Sequence, residues 1–354
     1  MITRYWLLSR RTRSPRYLLP LLFGSCAALV AACVVATLQI SAAAASTKIS
    51  VTYLSPVAAQ VGQQDIYYGM QLGAKDLGWS TSVLDANLSS GQQVTDVATA
   101  INEHRTAIAS WSLDNAAVAG PYKAAQKAGI PVIGVESTGV GVTASVFQEY
   151  QYCTPGTGIP EQEAKFIAAR RPGAKTIVIG GPTTVVSIVE DTACFTADAK
   201  AAGLHVIASA NNTGDTSDAG ELVAAPLITK YPDVQAIWDY NDTTALGASA
   251  ALTSANMKIS TANSKTGVIV IGQNADADAI QAIRSNPERL TLTVDPNNVA
   301  TGLAVITEMR EAIEHKKVPN LDVSSTIWDS ANVSHFVKPR ARGFTLTNIP
   351  LVKK

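Results

Sequence analysis

The chain has 354 residues, and its 28 basic and 28 acidic side chains cancel. That length exceeds one ordinary core and calls for two domains. Residues 1–47 hold five arginines and no acid, so the remainder carries 23 basic against 28 acidic residues, a net of −5; a mildly acidic chain without a basic patch argues against nucleic-acid binding.

The N-terminus reads as a targeting segment. Arg4, Arg10, Arg11, Arg13 and Arg16 precede an apolar run over residues 17–40, then Ser41-Ala42-Ala43-Ala44-Ala45-Ser46. A charged head, a greasy middle and small residues form a secretory signal, expected over residues 1–46 with cleavage between about Ala43 and Thr47. The run is long enough to serve as a retained anchor. Val30-Ala31-Ala32-Cys33 also matches a lipoprotein cleavage box. The chain stays apolar after Cys33 and offers no polar tether, so soluble export is the preferred reading. Two of the four cysteines lie in this leader. Cys153 and Cys194 remain, and export to an oxidising compartment predicts a disulfide between them, against two buried free thiols.

Strands and helices then alternate. Residues 48–54 form a strand with β-branched alternation; Tyr67, Met70, Ala74 and Leu77 repeat at helical spacing before Gly78. A strand at 82–84, a helix at 90–104, a strand at 107–111, a helix at 115–128 and a strand at 130–135 follow. This order implies a parallel, doubly wound sheet. After a Gly/Pro-rich break around an extended segment at 145–152, the pattern restarts. Helices are expected at 161–170, 185–202, 220–229, 275–285 and 299–314, and strands at 176–180, 206–208, 235–238, 268–271 and 290–294.

Chemical motifs are scarce. Gly139-Val140-Gly141-Val142-Thr143-Ala144 fits a dinucleotide fingerprint, but the following residues look extended rather than helical. His104, His205, His315 and His335 are scattered, no Cys/His cluster suits zinc, and neither a cofactor, a metal nor an enzymatic activity is expected. Asn211-Asn212-Thr213-Gly214-Asp215 reads as a turn. The densest phrase is residues 231–247, an apolar strand, then Asp239, Tyr240, Asn241 and Asp242, then a helix capped by Asp242 or Thr243. Polar residues beyond a strand's carboxyl end, beside free helix N–H groups, make a ligand-facing edge.

That phrase resembles the second lobe of the sugar-type (type I) periplasmic binding proteins, where a strand, Asn-Asp and Ala-Leu-Gly-Ala recur in this order. The openings at 48–54 and 67–79, the phrase at 85–101, "AAQKAGIPVIGVES" and "VIVIGQNADADAIQAI" are similar to the same family, covering nearly the whole chain after the leader. The resemblance implies an α/β fold of two Rossmann-like lobes with parallel doubly wound sheets and a three-strand hinge. Lobe 1 is expected over 48–149 and 296–327, lobe 2 over 150–295 and 328–354, with crossings near 147–151, 294–296 and Trp328. Carried over by phrase, the ligand positions are Glu136, Asn241, Asn274 and Asp295. The family's first-loop aromatics are missing from 55–65, and Ser137 stands where an arginine often follows the acid. Gln60, Gln63, Trp111 and Tyr240 are the candidate replacements, each with a plain alternative as loop or lobe core. A sugar or polyol is the first-ranked ligand and a cationic amine the second. The resemblance implies a monomer that delivers its ligand to an ABC transporter permease; the alternative partner is a membrane kinase or chemoreceptor that reads the same closure.

Overall fold

The first eight elements run in the expected order, and their boundaries follow local chemistry. In the computed structural model, which describes residues 48–149, 156, 158–285 and 288–352, β1 (Ser50–Ser55) leads to α1 (Val61–Asp76), β2 (Ser80–Asp85), α2 (Ser90–Asn102), β3 (Ala107–Ser110), α3 (Asn115–Lys127), β4 (Val132–Val135) and β5 (Ala144–Gln148). Ser89 caps α2 by accepting from Gln92 N, and Asp114 caps α3 by accepting from Ala116 N and Ala117 N; each satisfies helix N–H groups that lack intrahelical partners. The leader and its cleavage site lie outside the described residues. So does Cys153.

The second half repeats the winding: α4 (Gly158–Arg170), β6 (Lys175–Gly180), α5 (Val186–Ala201), β7 (His205–Asn211), α6 (Ser217–Lys230), β8 (Ala236–Asp239), α7 (Asp242–Ser254), β9 (Ile269–Gln273), α8 (Ala277–Arg284) and β10 (Leu292–Asp295). The chain then returns to the first lobe as α9 (Asn298–Ile313) and β11 (Leu321–Val323), and crosses again as β12 (Thr326–Asp329). One sheet has the order β11-β5-β4-β3-β1-β2, and the other β12-β10-β9-β8-β6-β7. Among the described strands, all pairings are parallel except β10 with β12. Helices cover both faces, so the inner strands read as nearly continuous apolar runs. In lobe 1, Val51, Tyr53, Ile133 and Val135 pack toward Ile66, Met70, Ile306 and Met309, while Leu54, Ile108 and Val132 pack toward Val97 and Val118 on the other face.

Each lobe has one helix pair in backbone contact. A Cβ on Gly69 of α1 would lie 2.0 Å from Val299 O, and one on Gly302 of α9 would lie 2.0 Å from Ile66 O. In lobe 2, a Cβ on Gly247 of α7 would lie 2.2 Å from Ser217 O of α6. Only glycine permits these approaches.

The last crossing differs from the expectation. Thr326 and Ile327 already belong to the second sheet, so that crossing falls at residues 324–325 rather than at Trp328. Nor does the chain stay with lobe 2 to its end. Val333 and Phe336 pack on the second core, but Phe344, Leu346 and Ile349 pack on the first, and Leu351 bridges Val323. The segment past Phe336 is therefore a return to lobe 1, which corrects the assignment of 328–354 to lobe 2. Apolar residues in this tail seek the uncovered flank of α1 and α9; their irregular spacing gave no periodicity to read.

Candidate functional site

The carboxyl ends of both sheets face each other across a cavity of about 310 Å³. Ligand pockets are commonly ~300–1,000 Å³. Lobe 1 contributes the loop after β1 and the first turn of α1, with Gln60 and Gln63, the loop after β3, with Trp111, and the start of α9, with Asn298. Lobe 2 contributes the loops after β6, β7, β8 and β9, which present Val185, Asp215, Tyr240, Asn241, Asn274 and Asp276. The lobes already touch. Gln60 Nε2 donates to Asp215 Oδ2, and Trp111 Nε1 donates to Ser187 Oγ at 3.1 Å. Ala86 and Leu113 of lobe 1 form an apolar cluster with Val185 of lobe 2.

Several cavity residues are held from behind. The hydroxyl of the fully buried Tyr53 donates to Gln63 Oε1. Gln93 clamps the Trp111 loop, donating to Trp111 O at 2.7 Å while accepting from Leu113 N at 2.8 Å. Trp111 lines the cavity and also belongs to the first-lobe core. Asn241 is the cap residue of α7, in place of the expected Asp242 or Thr243; its Oδ1 accepts from Thr244 N at 2.8 Å, and its Nδ2 donates to Asp215 Oδ1 at 2.7 Å. Tyr240 also donates to Asp215 Oδ1, and burial followed by the Asp215 charge pushes its phenol well above the usual range. Asp242 is wholly buried: Oδ1 accepts from Thr293 Oγ1 at 2.6 Å and Oδ2 from Asp276 N at 2.8 Å. It thereby positions Asp276, whose carboxyl is raised to about 6, first by burial and then by Asp278, Asp215 and Asp65.

Behind Tyr240 lies a polar network inside lobe 2. Trp238 Nε1 donates to Glu163 Oε2 at 2.8 Å, and the Trp238 ring stacks on Phe195 at 4.6 Å. Gln273, oriented to satisfy its neighbours, donates to Asp191 Oδ2 at 3.1 Å and to Tyr240 O at 3.0 Å. Burial raises the Glu163 carboxyl to about 8, against the bonds from Trp238 and Gln273. Burial, and then Glu163, pushes Asp191 up as well.

Gln60, Gln63, Trp111, Tyr240, Asn241 and Asn274 thus come together, and two expected positions do not. Glu136 and Asp295 are not among the lining residues. Glu136 has left-handed backbone, with φ 48°, and its Oε1 turns back to accept from Gln148 N; burial raises its carboxyl well above the usual range. Asp295 is taken up by the hinge, accepting from Trp328 Nε1 at 3.1 Å, from Arg342 Nη2 and from Asn297 N at 3.0 Å. Ser137, at the family's arginine position, fastens loops instead: its Oγ accepts from Ser112 N at 2.7 Å and donates to Val135 O at 2.8 Å. Conversely, Asp215, Asp276 and Asn298 line the cavity without having been singled out. Asp215 does sit in a turn, with φ 51°, but the turn follows the carboxyl end of β7; that position was the available signal. Cys194 is disulfide-bonded. Among the described residues, no group of three His, Cys, Asp or Glu side chains is arranged to hold a metal ion.

The sequence profile of the periplasmic binding protein domain matches residues 52–317. The chain belongs to this family. It is 25% identical over 262 residues to the ribose import binding protein RbsB of Bacillus subtilis, covering 73% of this chain and 79% of that one. The Caulobacter myo-inositol binding protein, solved with myo-inositol, superposes with a TM-score of 0.69 at 22% identity, covering 81% of this chain and 95% of that one. An ABC transporter solute-binding protein from Burkholderia graminis C4D1M, solved with D-arabinose, gives a TM-score of 0.72 at 17% identity, covering 82% and 98%. At these identities the structural likeness speaks for the fold: two α/β lobes wound as in type I periplasmic binding proteins.

Proposed function

We propose that this binding protein captures a small polyhydroxylated solute, a sugar or polyol, between its lobes and presents it to an ABC transporter permease. The observation that carries the reading is the cavity between the lobes. Amide side chains enter it from both sides, Gln60, Gln63 and Asn298 from one lobe and Asn241 and Asn274 from the other. An amide offers both a donor and an acceptor, which suits hydroxyl groups that need both. A ligand bonded to both lobes favours the closed arrangement over the open one, and closure is the signal that a membrane partner reads. The cycle is binding and release without turnover. Of the relatives named above, one is a ribose import binding protein and two were solved with myo-inositol and with D-arabinose, which supports the ligand class. The five-arginine leader supports export to the periplasm or the cell exterior as a soluble monomer, with lipid anchoring at Cys33 as the alternative.

The test is a thermal-shift screen of pentoses, hexoses and cyclic polyols, followed by calorimetric titration. A ligand that binds only the native state raises apparent stability by about 2.7 kcal/mol at one hundred times its Kd. A screen in which sugars and polyols leave the transition unmoved, while another solute class raises it, would overturn the reading.

A further inference from the structure

The cavity is chemically lopsided. Asp215 and Asp276 both line it, and among the described residues no lysine, arginine or histidine does. Two arginines of the C-terminal segment are engaged elsewhere: Arg340 Nε pairs with Asp65 at 2.6 Å, and Arg342 pairs with Asp295. Three neutral donors, Gln60 Nε2, Tyr240 Oη and Asn241 Nδ2, converge on Asp215 and hold its carboxylate at the cavity. None of them cancels its charge. Asp276 is fixed by its backbone bond to Asp242. Both are part-buried, and a ligand that covers them takes their carboxylates further out of water, which is costly unless an opposite charge accompanies them. The protein supplies no such charge here, so the ligand is its available source.

We infer that the ligand of this cleft carries an ammonium group beside its hydroxyls, as an amino sugar or amino-polyol does, with the ammonium held by Asp215 and Asp276. The inference rests on the polyhydroxylated-solute reading and adds charge to it. The amides of Gln60, Gln63, Asn274 and Asn298 serve the hydroxyls. Trp111 and Tyr240 complete a lining that favours a cation over an anion, because aromatic rings attract positive charge. The raised carboxyl of Asp276 agrees with this division. After burial, its neighbours Asp278, Asp215 and Asp65 hold a proton on it more tightly; a negative potential that favours a proton favours any cation. The same potential excludes sugar acids and sugar phosphates.

The experiment is calorimetric titration of the mature protein against matched sets: D-glucose, D-glucosamine and D-glucuronate, and myo-inositol with an amino-deoxy-inositol. At neutral pH the amine of at least one set should bind tenfold or more tightly than its neutral counterpart, and the acid should not bind. Asp276→Asn and Asp215→Asn should each shrink that amine-to-neutral ratio, with folding of each variant checked by thermal unfolding. If a neutral member binds as tightly as its amine, or the acid binds, the charge inference fails and the sugar-or-polyol reading stands. If no member of any set binds and an unrelated solute does, both fail. Because the ratio is measured first on the unaltered protein, an unfolded variant cannot decide the matter.

Discussion

Lobe 1 presents an uncharged face to the cavity, made of Gln60, Gln63, Trp111 and Asn298, whereas lobe 2 presents Asp215 and Asp276. The two lobes have the same winding, and each has a helix pair in backbone contact through glycine. Both interiors enclose acids, Glu308 of lobe 1 among them at 1% exposure, but lobe 2 holds the larger group. Lobe 2 encloses Glu163, Asp191, Asp239 and Asp242 at no more than 2% exposure, and both oxygens of Asp239 lack a hydrogen-bond partner. The buried Asp65 of lobe 1 has Arg340 as its counterion. A common fold therefore fixes where loops meet without fixing the charge they carry. One lobe offers shape and neutral hydrogen bonds, and the other sets the potential.

The largest expected effect comes from pH acting on lobe 2. In the fold Glu163 keeps its proton up to about 8, whereas its ordinary value is 4.5. Between those values the unfolded chain has lost a proton that the native one retains, so stability is full below about 4.5 and falls as pH rises toward 8. At about 1.4 kcal/mol per unit, the loss is on the order of 4 kcal/mol. Chemical denaturation at pH 5 and pH 8 measures it, and Glu163→Gln should reduce the difference by that amount. Equal slopes in both proteins would show that the acids of lobe 2 are not distinctive.

Next comes the disulfide of Cys194 on α5. With Cys153 as the expected partner, reduction should cost roughly 3–4 kcal/mol through loop-closure entropy. Thiol labelling of the denatured, unreduced mature protein should find no free cysteine; two labelled thiols would sink the pairing.

Asn241→Ala should weaken binding of a confirmed sugar or polyol about tenfold or more, because a desolvated partner left unpaired costs ~1–3 kcal/mol. It should also cost about 1 kcal/mol of stability, since the same side chain caps α7. Titration and thermal unfolding together separate the two losses. The smallest effect is expected at Glu136, which sits off the cavity lining. Glu136→Gln should change ligand affinity by less than about 0.5 kcal/mol, the scatter typical of sites that share no partner. A tenfold loss in titration would return Glu136 to the ligand site.

The alternation of strands and helices was readable because buried parallel strands and half-buried helices have distinct periods. The placing of Asn241 and Asn274 at the cavity was readable because their phrases fix them just past strand ends. Glu136 was misplaced by the same logic: it follows β4 directly, but left-handed backbone swings its carboxyl back to Gln148 N, and a sequence phrase does not reveal that reversal. Asp215 was hidden because Gly214-Asp215 does form a turn, and turn chemistry alone cannot tell which turns border a cleft. Asp295 looked like a ligand residue for want of its partner, Arg342, which lies far along the chain.

The return of the C-terminal segment has a mechanical consequence. Phe336 is anchored in lobe 2, edge-on to Trp328 with ring centroids 5.4 Å apart. Arg340 is anchored on lobe 1 by Asp65 and by the Tyr68 ring, 4.9 Å away. Only four residue steps separate them, and an extended chain spans at most about 3.6 Å per residue. While both anchors hold, those points cannot part by more than roughly 14 Å. The tail is thus a short leash with a fixed amount of slack. It caps the swing of the lobes from outside the cleft, at a distance set by covalent geometry rather than by any ligand.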